Sequence, residues 1–217
     1  MKTASLPRVV RASAAALFAV LSLGFSTASL RAEDRLAIAK KGDLLLEDSL
    51  QEVGKTWRAA KGEWKAGGDG VQGSELAADN HGAVMRHPLK FKDAVIAFSF
   101  KLDGAKGISL SVNDAKEHVC RVTINKAGFR AQRDDHDHEG PDKAVPFEAV
   151  KAKLDDGDWH TAVVEIVGES MVCTIDGKVS EGADALIATE KANLGFTVGG
   201  QSASFKDLKV WAATAKE

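Results

Sequence analysis

Six side chains that could bind a metal ion or exchange a proton lie together in the segment RDDHDHEGPDK, residues 133–143. Ca²⁺ binds oxygen ligands and Zn²⁺ accepts imidazole with carboxylate. The candidate metal ligands are Asp135, His136, Asp137 and His138. The alternatives are a solvated loop between two strands, which we favour, and a loop that contacts sugar. We therefore expect no cofactor, with Ca²⁺ in this loop as the exception.

A second set of candidate groups lies on the polar side of the segments GISLSVND, EHVCRVTIN and GFRAQRDD, which alternate apolar and polar residues. If these strands are neighbours, their polar side chains form one broad face, to which Ser99 and Lys101 of the preceding strand would add. Amide, carboxylate and guanidinium groups on it could bind vicinal hydroxyls through paired hydrogen bonds. The alternative is an ordinary solvated sheet face. The predicted ligand-binding residues are Asn113, Arg121, Asn125, Arg130, Gln132 and Asp134.

Glycoside hydrolysis would require two facing carboxylates. The acids that the alternation places near the polar face are Glu117, Asp134 and Glu165. If the chain is an enzyme, Asp134 and Glu165 are the candidate acid and base. The sequence contains no Gly-x-Ser-x-Gly or His-Glu-x-x-His motif, so binding without catalysis is the preferred hypothesis.

The elements that must position these groups are strands. Apolar and polar residues alternate with a period of two through most of the chain after residue 94, and breaks such as Asp176-Gly177 separate the runs. Only residues 145–158 resemble a helix, and Pro146 limits it. The pattern predicts an all-β, antiparallel two-sheet sandwich formed by one domain, residues 43–213.

The N-terminus has the charged, apolar and small-residue order of a secretory signal peptide. We expect it to span residues 1–32, with cleavage after Ala32 or alternatively Ala28, and a flexible lead-in to follow at residues 33–42. The alternative is a membrane anchor, but the apolar run is shorter than the roughly 20 residues that cross a bilayer. The predicted location is therefore secreted or periplasmic.

Charge restricts the partners that we expect. The predicted signal peptide carries four positive and no negative charges, so its removal changes the formal charge from −2 to −6. This balance argues against nucleic acid and anionic membranes, which are bound by Lys and Arg patches. The two cysteines, Cys120 and Cys173, both lie on apolar strand faces. They could form a disulfide if their strands are neighbours, or both remain free.

The segment DDGDWHTAVVEIVGESMVCTIDGKVSEG, residues 155–182, with the later LGFTVGG and FKDLKVW, resembles the C-terminal half of a laminin-G-like or concanavalin A-like jelly roll. In this resemblance Trp159 plugs the edge of the sandwich, His160 begins a strand and Asp176-Gly177 forms its tight turn. The fold class implied is a concanavalin A-like jelly roll.

The opening segment, residues 44–76, contains Trp57, Gly62-Glu63-Trp64 and Asp69-Gly70-Val71. It is similar to the start of secreted bacterial 3-keto-disaccharide hydrolase-like domains, which implies glycoside hydrolysis. However, AKGISLSVND lacks the Asn-Ser and Arg of that family, and LGFTVGGQSASF lacks its Leu-Gln and His. No catalytic role is therefore transferred to a residue of this chain.

The leading hypothesis is a secreted module that binds carbohydrate or a cell-envelope glycan. The alternatives are a glycoside hydrolase of the 3-keto-disaccharide type and a structural secreted domain without a small ligand. The chain contains four Trp and no Tyr, so few aromatic rings are available to stack on sugars.

Overall fold

The computed structural model describes Met1 and residues 35–67, 69–136, 139, 140 and 143–217. The predicted signal peptide, apart from Met1, lies outside the described residues, as do Asp137 and His138 of the candidate metal loop. Within the described residues, no helix combines the length and the apolar character needed to cross a membrane.

Two antiparallel sheets contain all sixteen strands of the described residues. The strands are β1 (Ala39–Asp48), β2 (Arg58–Lys61), β3 (Glu63–Gly67), β4 (Gly70–Ser74), β5 (Ala83–Phe91), β6 (Ala94–Leu102), β7 (Ala105–Asn113), β8 (His118–Asn125), β9 (Gly128–Arg133), β10 (Val145–Pro146), β11 (Val150–Lys151), β12 (Trp159–Val167), β13 (Ser170–Ile175), β14 (Lys178–Ala183), β15 (Lys191–Gly200) and β16 (Ala203–Ala215). Short 3₁₀ helices at Ala77–Asp79 and Ala185–Ala188 complete the regular structure.

Sheet A has the strand order β14-β13-β12-β6-β16-β4-β3, and β1 pairs with β16. Sheet B has the order β10-β9-β8-β7-β15-β5-β2, and β11 pairs with β9. The predicted all-β sandwich of the concanavalin A-like type is confirmed. Strands that are adjacent in sequence often lie in different sheets, as β6 and β7 do, so residues far apart in the chain become neighbours.

The core lies between the sheets and is formed by the apolar side of each alternation. Phe98 and Phe205 of sheet A meet Phe196 of sheet B, with the Phe196 and Phe205 rings stacked at a centroid distance of 4.2 Å. All three side chains are at most 1% exposed. Burial of one such side chain contributes about 1.5–3 kcal/mol, which fixes the apolar side of each strand in the core. Because side chains alternate along a strand, the polar side of each strand then lies on one of the two outer faces.

The N-terminal lead-in is held more firmly than the sequence predicts. The backbone N–H groups of Ala37, Ile38 and Ala39 each donate to the Glu165 carboxylate at 2.8 Å. From Ala39 onward the chain is strand β1, which pairs with β16. The prediction of a flexible lead-in across residues 33–42 is therefore wrong for residues 37–42. Two register shifts interrupt the alternation of β1 and conceal the strand.

The helical candidate at residues 145–158 forms instead the two short strands β10 and β11, both paired with β9. Pro146 has no N–H to donate to a helix or to a further strand. The ring of Phe147 lies on Gly182, where a Cβ would be 2.3 Å from it. The segment thus closes one edge of sheet B.

Two local predictions have clear outcomes. Asp176 and Gly177 have φ values of 47° and 81°, as a two-residue hairpin turn requires. Cys120 and Cys173 are both free and buried, in sheets B and A respectively. Burial raises the pKa of the Cys120 thiol to about 12 and also raises that of Cys173, so neither is a reactive thiolate near neutral pH.

Candidate ligand-binding face

The outer face of sheet B brings most of the predicted polar residues together. Strand pairing sets Arg86, Gly195, Ser111, Arg121 and Gln132 in one row across β5, β15, β7, β8 and β9. Their alternate neighbours are core residues, so the side chains of this row point away from the core. Five strands therefore contribute to one continuous polar surface.

Small residues form the centre of this face. Ser109 and Ser111 are only 7% and 8% exposed although they point out of the sheet. Gly195 cannot easily be replaced, because a Cβ there would lie 2.3 Å from the Met85 carbonyl oxygen and 2.9 Å from Cγ of Arg86. The Arg86 side chain thus passes over Gly195. Because Gly195 and Ser111 are small, the surface between Arg86 and Arg121 is lower than the two arginine side chains.

A depression of about 190 Å³ lies over this row and is here called the cleft. Its lining residues are His81, Val84, Arg86, Ser111, His118, Arg121, Gly195 and Thr197. Guanidinium groups from two different strands and hydroxyls from two more therefore border one space. The sequence-based set included Arg121 but missed the lining residues His81, Arg86 and Thr197.

Asp134 holds the polar groups of β8 and β9 in place. Its carboxylate accepts from Arg121 Nε at 2.7 Å and from Gln132 Nε2 at 2.8 Å, one oxygen for each. The carboxylate is only 2% exposed. Asp134 therefore orients Arg121 and Gln132, and a ligand on this face would meet those two side chains.

Asn113, the last residue of β7, serves a similar positioning role for His118, the first residue of β8. Its Nδ2 donates to Asn193 Oδ1 at 2.7 Å, and its Oδ1 accepts from the His118 ring at Nδ1, 2.6 Å away. This chain of bonds joins β7 to β15 and fixes the His118 ring at the cleft wall. Asn113, predicted to bind ligand, is 4% exposed and lies behind His118.

Asn125 and Arg130 border a second, more open depression of about 350 Å³ at the edge of the same face, together with Thr123 and Lys151. The Asn125 side-chain oxygen accepts from the backbone N–H of Ala127 at 2.8 Å. Arg130 is exposed, and within the described residues it has no ion-pair partner. The six predicted ligand-binding residues therefore share one face but not one depression.

The charge of sheet B is one-sided. Its eight strands contain ten basic residues and no acidic ones. The basic residues are Arg58, Lys61, Arg86, Lys90, Lys106, Arg121, Arg130, Arg133, Lys151 and Lys191. Lys191 is buried, and its ammonium group donates to the carbonyl oxygens of Lys92 and Ile187; burial lowers the pKa of this group.

The proposed acid–base pair of Asp134 and Glu165 is wrong. Glu165 belongs to β12 of sheet A, is 1% exposed, and uses its carboxylate to accept the three N–H groups of residues 37–39. Asp134 follows β9 of sheet B on the opposite outer face. Since packed sheets are about 10 Å apart, the two carboxylates cannot approach a single glycosidic bond.

Two further residues assigned to the polar face also lie on sheet A. Ser99 and Lys101 belong to β6, so their side chains lie on the outer face of sheet A, on the opposite side of the sandwich from the predicted face. Lys101 Nζ lies 5.2 Å from the ring centroid of Trp159, and Lys206 Nζ lies 4.2 Å from it. Trp159 is thus a partly exposed residue between two lysines on the outer face, and the prediction that it plugs the sandwich edge is wrong.

The loop after β9 has a structural partner for its described histidine. His136 Nε2 lies 2.8 Å from Asp114 Oδ2, and Asp135 Oδ2 lies 3.9 Å from Lys143 Nζ. Burial alone would raise the pKa of Asp114, but hydrogen bonds from the backbone of Glu117 and from His136 lower it. Among the described residues, no three His, Cys, Asp or Glu side chains are grouped as metal ligands would be.

Comparison with known proteins identifies the fold. No family model and no curated protein matches the chain. The carbohydrate-binding module CBM66 from Bacillus subtilis is similar in structure, with a TM-score of 0.57 at 14% identity over 75% of this chain and 96% of that one. The CBM2 module of the evolved Dit of Lactobacillus casei BL23 phage J-1 gives 0.60 at 8% identity, over 82% and 98%.

A β-glucanase from Bacillus licheniformis is also similar, with a TM-score of 0.57 at 9% identity over 80% of this chain and 99% of the glucanase. These similarities define the class of the protein, a jelly-roll β-sandwich of the concanavalin A-like type. At such low identity they concern the fold, and any activity must be argued from the residues themselves.

Proposed function

We propose that this protein binds carbohydrate on the outer face of sheet B, with the cleft as the central subsite. The observation that carries the proposal is the row in which Arg86 and Arg121 lie on either side of Gly195 and Ser111. It places donors on both sides of a low centre. An extended ligand could lie across the strands and contact both walls.

The chemistry of the row suits sugar hydroxyls. Guanidinium groups donate two parallel hydrogen bonds, and serine and threonine hydroxyls both donate and accept. Asp134 and Asn113 orient the ligand-facing groups before a ligand arrives, which lowers the entropy cost of binding. The presence of carbohydrate-binding modules among the structural neighbours supports this proposal.

We propose further that the module acts outside the cytoplasm, as the secreted or periplasmic partner of a cell-envelope or environmental glycan. The support is the charged, apolar and small-residue order of the N-terminal segment. Fractionation of cells expressing the full-length chain, followed by N-terminal sequencing, tests this setting. Recovery of an unprocessed chain from the cytoplasm would exclude it.

Ser111→Val tests the location of the carbohydrate site. Valine is compatible with a strand but removes the hydroxyl and fills the lowest part of the cleft. The control is Ser99→Val, the same change on the outer face of sheet A, where Ser99 lines a larger depression of about 520 Å³. A glycan array identifies ligands for the wild type, and calorimetry then compares the variants.

We expect Ser111→Val to weaken binding at least tenfold and Ser99→Val to leave the affinity unchanged. The reverse pattern would move the site to sheet A. If the wild-type protein binds no glycan on a broad array, the carbohydrate function itself is excluded, and the chain is better described as a structural domain.

A further inference from the structure

The distribution of charge indicates which kind of glycan the face would select. The full chain has a formal charge of −2, yet the strands of sheet B contain no carboxylate. Among the described residues, the polar row forms one ion pair, between Arg121 and Asp134, which lies just after β9. Arg86 and Arg130 have no ion-pair partner within the described residues. The face therefore carries an uncompensated positive charge.

The positive groups are distributed across the sheet. A site for a single small anion would instead bring them together at one point. Arg86 lies on β5, Arg121 on β8 and Arg130 on β9. With strands about 4.8 Å apart, the strands that carry Arg86 and Arg130, the two arginines without an ion-pair partner among the described residues, are separated by four strand spacings, roughly 19 Å. The arrangement suits an extended chain that carries more than one negative group.

In the described strands of this sheet, no Phe, Trp or Tyr lies on the exposed side. The aromatic residues in its described strands are Phe91, Phe129 and Phe196, and each is at most 8% exposed. Single-stranded nucleic acids are bound by stacking bases on exposed rings, so the face is poorly suited to them. Neutral sugars also lose the ring platform that would stack on them, which leaves hydrogen bonds and charge as the means of recognition.

We propose that the ligand is an acidic glycan whose carboxylate or sulfate groups are bound by Arg86 and Arg130, while its hydroxyls contact the row between Arg86 and Arg121. This inference rests on the proposed carbohydrate function and specifies its ligand class. Planar guanidinium groups match the two oxygens of a carboxylate or sulfate group. The positive face would also attract an anionic polymer before contact.

The test compares two oligosaccharides with the same sugar backbone, one with charged carboxylates and one with neutral methyl esters. The probes are a galacturonic acid pentasaccharide and its fully methyl-esterified form, measured by calorimetry at low and moderate salt. We expect the acidic form to bind at least tenfold more tightly and to weaken several-fold as salt rises, because screening reduces charge attraction. A sulfated galactan oligosaccharide is measured in parallel and separates sulfate from carboxylate recognition.

Three variants locate the charges. Arg86→Gln and Arg130→Gln should each weaken binding of the acidic probe about three- to tenfold and reduce its dependence on salt. Lys40→Gln removes one charge from an exposed position on β1 of sheet A and should change neither. Circular dichroism confirms that the variants fold.

The outcomes separate this inference from the function on which it rests. Equal binding of the acidic and esterified probes, or binding of neither while neutral glycans bind, overturns the acidic ligand and leaves the carbohydrate function standing. Binding of a DNA duplex as tightly as the acidic probe also overturns it, since the face would then attract any polyanion. If no glycan of any charge binds, the carbohydrate function fails with it.

Discussion

The outer faces of sheets A and B are built from the same alternation of residues, but they differ in cover and in charge. On sheet A, Ala39 packs against Val95, Ala97 and Val163, and the chain before it is bonded to Glu165. On sheet B, the middle of the face is a cleft over Ser111 and Gly195, bordered by the Arg86 and Arg121 side chains.

Charge follows the same division. The strands of sheet A contain seven acidic and seven basic residues. The strands of sheet B contain no acidic residue and ten basic ones. The sheet A residues are Asp43, Glu47, Asp48, Glu63, Glu165, Glu181 and Asp207, and Lys40, Lys41, Lys65, Lys101, Lys178, Lys206 and Lys209. The fold supplies two outer surfaces, and the chain covers part of one while concentrating charge on the other.

Glu165→Gln should have the largest effect on stability, because it weakens the hydrogen bonds that hold residues 37–39 on the outer face of sheet A. An amide places an NH₂ group against backbone donors and replaces a charge-assisted acceptor, so we expect a loss of about 2–4 kcal/mol in the free energy of unfolding. Urea denaturation measures it. The control Glu169→Gln changes an exposed residue near the end of the same strand, and an equal loss there would show that Glu165 has no special role.

Asp134→Asn, on sheet B, should have the next largest effect on stability. The asparagine can no longer accept from both Arg121 and Gln132, so we expect a loss of about 1–3 kcal/mol and weaker glycan binding. The control is Asp155→Asn, whose exposed pair with Lys153 contributes little. Unchanged glycan affinity in Asp134→Asn would contradict the role of Asp134 in orienting the cleft.

Measuring the free energy of unfolding against pH tests a buried group of the core, His87, independently of both outer faces. His87 is 7% exposed, its ring meets Trp57 edge-on at 5.0 Å, and burial lowers its pKa below the usual 6.5. The unfolded chain then binds a proton more readily than the native protein. Stability should therefore fall as pH drops below 6.5, by at most about 1.4 kcal/mol per pH unit from this group.

Equilibrium unfolding of His87→Leu across the same pH range checks this assignment. The variant should lose the part of the acid dependence that His87 contributes, whereas His81→Gln, at an exposed position, should retain it. Identical pH profiles for the wild type and His87→Leu would mean that other groups cause the acid sensitivity.

Trp159→Ala should have the smallest effect and tests the comparison most directly. The loss of contacts with Lys101 and Lys206 should cost about 0.5–1 kcal/mol, and glycan affinity should not change. A large fall in affinity would instead show that sheet A is the binding face, with Trp159 as the platform on which a sugar stacks.

Alternation within one strand was sufficient to predict which side chains leave the core. Ser109, Ser111, Arg121, Arg130 and Gln132 all have the predicted orientation, because a strand allows only two sides. The fold class follows from the same signal, since many half-buried strands with tight turns between them must bury their apolar sides against each other.

Alternation could not predict which strands share a sheet. Strand β6 precedes β7 directly but lies in sheet A, and β5 reaches the cleft only through β15, about 110 residues later in the chain. For this reason Ser99 and Glu165 were grouped with residues of the other face, and Arg86 was missed although its outward position was readable from AVMRHPLKF. Strand β1 was missed because its bulges interrupt the period.

The short strands at one edge of sheet B have a consequence for how copies of the protein meet. An edge strand with free N–H and C=O groups invites pairing with a second chain. Here that edge is formed by β10 and β11, each two residues long, and Pro146 offers no donor. A second copy finds no continuous ladder to extend, so this edge resists the strand-to-strand growth that leads to aggregates.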